Sequence, residues 1–146
     1  MEKTRKNLRD SSLLVLFFVV LSAIRKIVDA VVNGFEVKEV PEGMTEDVVR
    51  IIMVVGFVLS FVVLLPQIYV GIKGLKIAKE PSAAKGHIVW AVILLAFAVI
   101  AVFSPISSIL KADHIGANVL ELINCALDIA VYVLFLIPAL EIRKGV

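Results

Sequence analysis

The sequence predicts an all-α integral membrane protein in which four transmembrane helices form an up-down-up-down bundle with both termini in the cytoplasm. Of the 146 residues, 60% are hydrophobic and only 19% are charged, whereas soluble domains are about half apolar and a quarter charged. Two uncharged stretches of 22 and 23 residues, at 51–72 and 88–110, are long enough to cross about 30 Å of hydrocarbon. We therefore expect a single transmembrane domain over residues 1–146.

The first span is predicted over about residues 11–31. Only residues 11–24 are uncharged, so the segment reaches membrane length when Arg25, Lys26 and Asp29 are included. A cleaved signal peptide is the alternative, because a basic start, a short apolar stretch and small residues fit that pattern loosely. Cleavage would leave three spans, so we expect this segment to be a retained anchor.

The second span is predicted over about residues 48–72. Thr45 is expected to cap its start, and Pro81 to end a helical extension on the cytoplasmic side. Pro66 removes a backbone donor within the span, which predicts a kink. Gly56 is expected to lie where this helix touches a neighbour, because small residues allow transmembrane helices to approach closely.

The third and fourth spans are predicted over about residues 88–110 and 118–140. The fourth has an uncharged part of only 12 residues, so it must include two acidic residues to cross the bilayer. Span three contains Pro105 and span four contains Pro138. Each is expected to kink its helix, as Pro66 is.

The placement of basic residues sets the orientation through the positive-inside rule. Four lie between spans two and three: Lys73, Lys76, Lys79 and Lys85. The two ends of the chain hold six more: Lys3, Arg5, Lys6, Arg9, Arg143 and Lys144. Two spans would leave both basic ends outside, whereas four spans bring all of them inside. Residues 33–47, with five acidic residues and one lysine, then lie outside.

The four lysines beyond span two are predicted to form a solvated face whose apolar stems snorkel along the membrane surface. Contact with the head groups of anionic lipids is the alternative. In either case the lysines are expected at the inner membrane surface.

A second charged feature lies within the membrane, where unpaired charge is costly. It comprises Arg25, Lys26 and Asp29 on span one and Glu121 and Asp128 on span four. The spacing places each set on one helical face, and matching the membrane ends of these antiparallel helices puts Arg25 and Lys26 between Glu121 and Asp128. The sequence therefore predicts that spans one and four pack through a charged seam.

The charged seam carries two positive and three negative charges, so a proton, a bound cation or water must relieve the excess. We interpret it as a set of structural ion pairs that tether two marginal spans. A proton or cation pathway is the alternative. A water-accessible cavity at the seam would favour transport, and a closed and fully paired cluster would favour the structural role.

No catalytic residue, metal site or cofactor is predicted. Cys125 is the only cysteine, which excludes an intrachain disulfide, and it is expected in the packed core. His87 is expected among the amphipathic rings at the inner interface and His114 in an outer loop, too far apart to share a metal. Nucleic-acid binding is not expected, because the basic residues follow the membrane face without interleaved aromatic residues.

Two segments resemble a known group of proteins. They are YVGIKGLKIA at 69–78, followed by a basic loop and a third span, and DIAVYVLFLIPALEIRK at 128–144. Over the last three spans the chain is similar to small, functionally uncharacterised four-span membrane proteins of Gram-positive bacteria. The resemblance implies a fold and a location in the cell membrane, and no activity.

These features predict a multi-pass protein of the cell inner membrane that is not an enzyme. We expect a structural or accessory subunit whose partners are the lipid bilayer and a second copy of itself or another membrane protein. The alternative is a small proton- or cation-coupled transporter or channel that uses the charged seam.

Overall fold

The computed structural model describes residues 2–37, 40–82, 84–111 and 115–145. These residues form α1 (Glu2–Asn33), α2 (Glu46–Val62), α3 (Leu64–Lys79), α4 (Gly86–Ala101), α5 (Phe103–Leu110) and α6 (Ile115–Lys144). No β-strand occurs in the part of the chain that the structure describes. The all-α prediction is therefore confirmed.

Proline interrupts two of the predicted spans. Val63 separates α2 from α3 and Val102 separates α4 from α5, and Pro66 and Pro105 are each the third residue of the helix that follows. Proline has no N–H to bond the carbonyl four positions back, which leaves the preceding helix without a continuation. The structure therefore has helix breaks beside both prolines, whereas α6 runs unbroken through Pro138.

Among the residues that the structure describes, three helical stretches are long and apolar enough to cross a membrane: Glu46–Lys79, Gly86–Leu110 and Ile115–Lys144. They coincide with the predicted spans two, three and four. The first of them begins directly after Thr45, as predicted, although the Thr45 side chain makes no capping hydrogen bond. Helix α1 is not among the three, so the first span stays a prediction.

The chain divides into two compact units. The large unit comprises the residues up to Leu16 and those from Pro66 onward, and the small unit comprises Phe17–Leu65. The prediction of one four-helix domain over residues 1–146 is not tested by this division and stays a prediction.

The core of the large unit lies among the first half of α1, α3, α4 and the second half of α6. Each helix contributes buried residues at spacings of three and four, which is the pattern of one helical face. They include Leu8, Ser12 and Val15, Val70 and Ile77, His87 and Ala91, and Val131, Phe135, Ala139 and Ile142.

Two glycines of α3 let it approach its neighbours closely. A Cβ on Gly74 would collide with Oγ of Ser12 and lie 2.5 Å from Cε2 of Phe135. A Cβ on Gly71 would lie 2.6 Å from Cγ of Leu16. Neither position can therefore hold a larger residue unless neighbouring side chains move.

The small unit is built differently. Gly34, with φ of 62°, ends α1, and its N–H donates to the carbonyl of Ala30 at 3.0 Å. Phe35, which follows this turn, packs edge-on against Phe57 of α2 with ring centroids 5.6 Å apart. None of the α2 residues is buried. A Cβ on Gly56 would meet no atom within 4 Å, so this glycine makes no close helix contact inside the small unit.

Candidate functional site

The span-one charges lie along the second half of α1, in the small unit. Nε of Arg25 is 3.9 Å from Oδ2 of Asp29, one helical turn away, and these side chains are 66% and 62% exposed. An open groove of about 310 Å³ is lined by Ser22, Arg25, Lys26 and Asp29. These four residues therefore line one open face of α1 within the small unit, and their predicted place in the membrane stays a prediction.

The span-four carboxylates lie on the first half of α6, in the large unit. Glu121 and Asp128 are both exposed and flank Cys125, which lies between them on the same side of the helix. Within the large unit, neither carboxylate forms an ion pair with a described residue. The predicted pairing of Glu121 and Asp128 with Arg25 and Lys26 would join the two units and stays a prediction.

Cys125 is a free, buried cysteine. Its predicted role as a small core residue is confirmed. No group of three or more metal-ligating side chains occurs among residues 2–37, 40–82, 84–111 and 115–145. His114 and the acidic residue Glu39 of the outer segment lie outside the described residues.

The four lysines predicted at the inner membrane surface lie in the second half of α3 and directly before α4. Lys76, Lys79 and Lys85 are exposed, and Lys73 is half-buried. Lys79 lines a groove of about 640 Å³ together with basic residues of α1. This basic groove is the feature that sequence reasoning missed, because Lys3, Arg5, Lys6 and Arg9 indicated only orientation.

His87 packs inside the large unit, and its predicted level at the inner membrane interface stays a prediction. Its side chain is 2% exposed, and the imidazole packs edge-on against Phe135 with ring centroids 6.1 Å apart. Its Nε2 is buried without a hydrogen-bond partner in the described chain. At the neighbouring Gly86, a Cβ would lie 2.7 Å from Oη of Tyr69, so Tyr69 packs closely against the start of α4.

The chain matches no protein-family model, and searches of curated proteins and of solved structures find no significant similarity.

Proposed function

We propose that this chain is a four-span protein of the cell inner membrane, with both termini cytoplasmic, and that it serves as a non-enzymatic structural or accessory subunit. The partner is a second copy of the chain or another membrane protein. The observation that carries the proposal is the exposure of Glu121 and Asp128 on α6, a helix of membrane-spanning length.

Exposed carboxylates on a membrane-spanning helix require protein or water that shields them from lipid. A charged side chain at the bilayer centre costs at least about 2.5 kcal/mol, and such residues almost always face protein or water. Neither carboxylate has an ion-pair partner among the described residues of the large unit. A contact with span one or with a partner subunit would supply the missing cations.

The exposed surface of α2 supports the membrane placement. This helix is strongly apolar and buries no residue, and its exposed side chains include Ile51, Val55, Val58 and Leu59. Water would penalise such a surface by about 25 cal/mol for each Å² of apolar area. Lipid tails impose no such penalty, and a helix that is apolar on all sides is therefore typical of membrane spans.

The topology is tested with impermeant maleimide on intact cells. Single cysteines replace Glu2, Glu42 or Lys144 in a Cys125→Ala background. We expect labelling at position 42 in intact cells and at positions 2 and 144 only after permeabilisation. Labelling of position 2 in intact cells would place the N-terminus outside and contradict span one, and with it the four-span topology.

The subunit role is tested by measuring the mass of the purified protein in mild detergent by light scattering. We expect a complex larger than one chain, and we expect Glu121→Gln with Asp128→Asn to reduce its population. Glu42→Gln, in the exposed segment before α2, is the control of the same chemistry. A wild-type protein that is monomeric and carries no second protein would contradict the proposal.

A transporter or channel is the second candidate, favoured by the open groove at Ser22, Arg25, Lys26 and Asp29. An accessible charged surface is what ion passage requires, whereas a purely structural cluster is expected to be closed. The test is pH- and ion-dependent flux into proteoliposomes, comparing the wild type with Asp128→Asn and Glu42→Gln. Flux equal to that of empty vesicles would exclude this candidate.

A further inference from the structure

A strongly basic groove lies in the large unit between the start of α1 and the end of α3. Its volume is about 640 Å³, and five basic side chains and one carboxylate line it: Lys3, Arg5, Lys6, Arg9, Lys79 and Glu2. Two elements far apart in sequence supply these charges. The clustering is therefore a product of the fold rather than of one basic stretch.

Arg5 holds the two walls of the basic groove together. Its Nη2 donates a hydrogen bond of 2.9 Å to the carbonyl oxygen of Lys79, the last residue of α3. The C-terminal end of a helix carries partial negative charge, and the guanidinium offsets it. Nε of Arg5 is buried and has no acceptor in the described chain, so the guanidinium keeps unused donor capacity.

The nearby carboxylates leave most of the cations unpaired. Asp10 pairs with Arg9, with Nε and Oδ1 3.2 Å apart. Glu141 accepts a hydrogen bond of 3.2 Å from Oγ1 of Thr4. Lys3, Lys6 and Lys79 therefore form no ion pair with the described residues of the large unit.

We propose that this groove binds a phosphate-bearing anion. Convergent lysine and arginine side chains recognise phosphate oxygens through charge-assisted hydrogen bonds, with the lysines acting as point charges and arginine as a planar fork. The groove volume of about 640 Å³ leaves room for a phosphate-bearing head group. Two sources share this chemistry: the head group of an anionic phospholipid, and free phosphate from the cytoplasm.

The lipid source rests on the membrane placement proposed above, because that topology sets the groove at the level of the cytoplasmic head groups. Binding of free phosphate does not depend on the membrane placement. Binding is measured in detergent, where orientation plays no part, whereas topology is measured by labelling in cells. Failure of one proposal is therefore distinguishable from failure of the other.

The test uses native mass spectrometry of the purified full chain in detergent. The probes are phosphatidylglycerol, phosphatidylcholine and inorganic phosphate. The groove variant is Lys3→Gln with Lys6→Gln, which spares the structural Arg5. The control variant is Lys76→Gln with Lys85→Gln, which removes the same charge from exposed lysines outside the groove.

We expect the wild type to retain phosphatidylglycerol in preference to phosphatidylcholine. A basic residue at an anionic surface contributes about 1 kcal/mol, which corresponds to about five-fold in affinity, so the groove variant should lose about 25-fold. The control variant should change affinity less than about two-fold, because its lysines do not line the groove.

Competition by inorganic phosphate would identify the free anion as a ligand and support the site. Retention of the lipid without such competition would identify the lipid head group as the ligand. Equal losses in the two double variants would mean that a diffuse basic face attracts anions, and would overturn the proposal. Absence of binding by both phosphate probes would overturn it as well.

Discussion

Helices α2 and α3 are consecutive, similarly long and part of one continuous apolar stretch, yet they differ completely in burial. None of the α2 residues is buried, whereas α3 buries Val70, Gly71, Gly74 and Ile77 along one face. Both helices contain glycine. A Cβ on Gly56 of α2 would meet open space, and a Cβ on Gly74 of α3 would meet two buried side chains.

The contrast teaches that apolar character and close packing are separate properties in this chain. Lipid tails are as apolar as leucine, so membrane helices associate through tight van der Waals packing rather than through the hydrophobic effect. Helix α3 packs closely against Ser12 and Leu16 of α1 and Phe135 of α6 at its two glycines. Three pairs of substitutions test whether this difference in packing governs stability.

The largest effect is expected from Gly74→Ala. The added methyl group must displace Phe135, which is fully buried, and Ser12, so we expect the free energy of unfolding to fall by about 3 kcal/mol. The measurement is an SDS titration from mixed micelles. Gly56→Ala is the matched control, and we expect it to be neutral or to stabilise the protein by up to about 1 kcal/mol. Equal losses at the two positions would refute the comparison.

A smaller effect is expected from Val70→Ala. Val70 is 0% exposed, so the truncation removes about two buried methyl groups and leaves a small cavity, at a cost of about 2 kcal/mol. Val58→Ala on α2 removes the same atoms from a side chain that is 58% exposed, and we expect a change below about 0.5 kcal/mol. The same titration compares them, and a Val58→Ala loss as large as that of Val70→Ala would argue that α2 packs against a partner.

The smallest expected effect is the coupling between Ser12→Ala and Gly74→Ala. Oγ of Ser12 donates to the carbonyl oxygen of Leu8 at 2.6 Å and occupies the space that a Cβ on Gly74 needs. Removing the hydroxyl should relieve part of the clash, so the double variant should be more stable than additivity predicts by about 0.5–1 kcal/mol. A double-mutant cycle in the same titration measures this coupling. Strict additivity would show that Phe135 alone limits the space at Gly74.

The helical fold was predictable because its signals are local. Long uncharged stretches and the sites of helix disruption at Pro66 and Pro105 depend on neighbouring residues only. The core position of Cys125 followed from its residue type and its place in a span. The candidate sites were less predictable, since the spacing of Arg25 and Asp29 indicates a shared face but does not indicate what covers it.

The sequence by itself determined the α-helical class, the two uncharged stretches of membrane-spanning length at 51–72 and 88–110 and the clustering of cations at particular helix ends, because these depend on composition and order along the chain. Only the tertiary structure decided that Gly74 rather than Gly56 is a contact point, that His87 is buried, and that Arg5 meets the end of α3. Each of these depends on which helix faces reach one another. An apolar surface suits lipid and protein neighbours equally, so hydropathy cannot distinguish them.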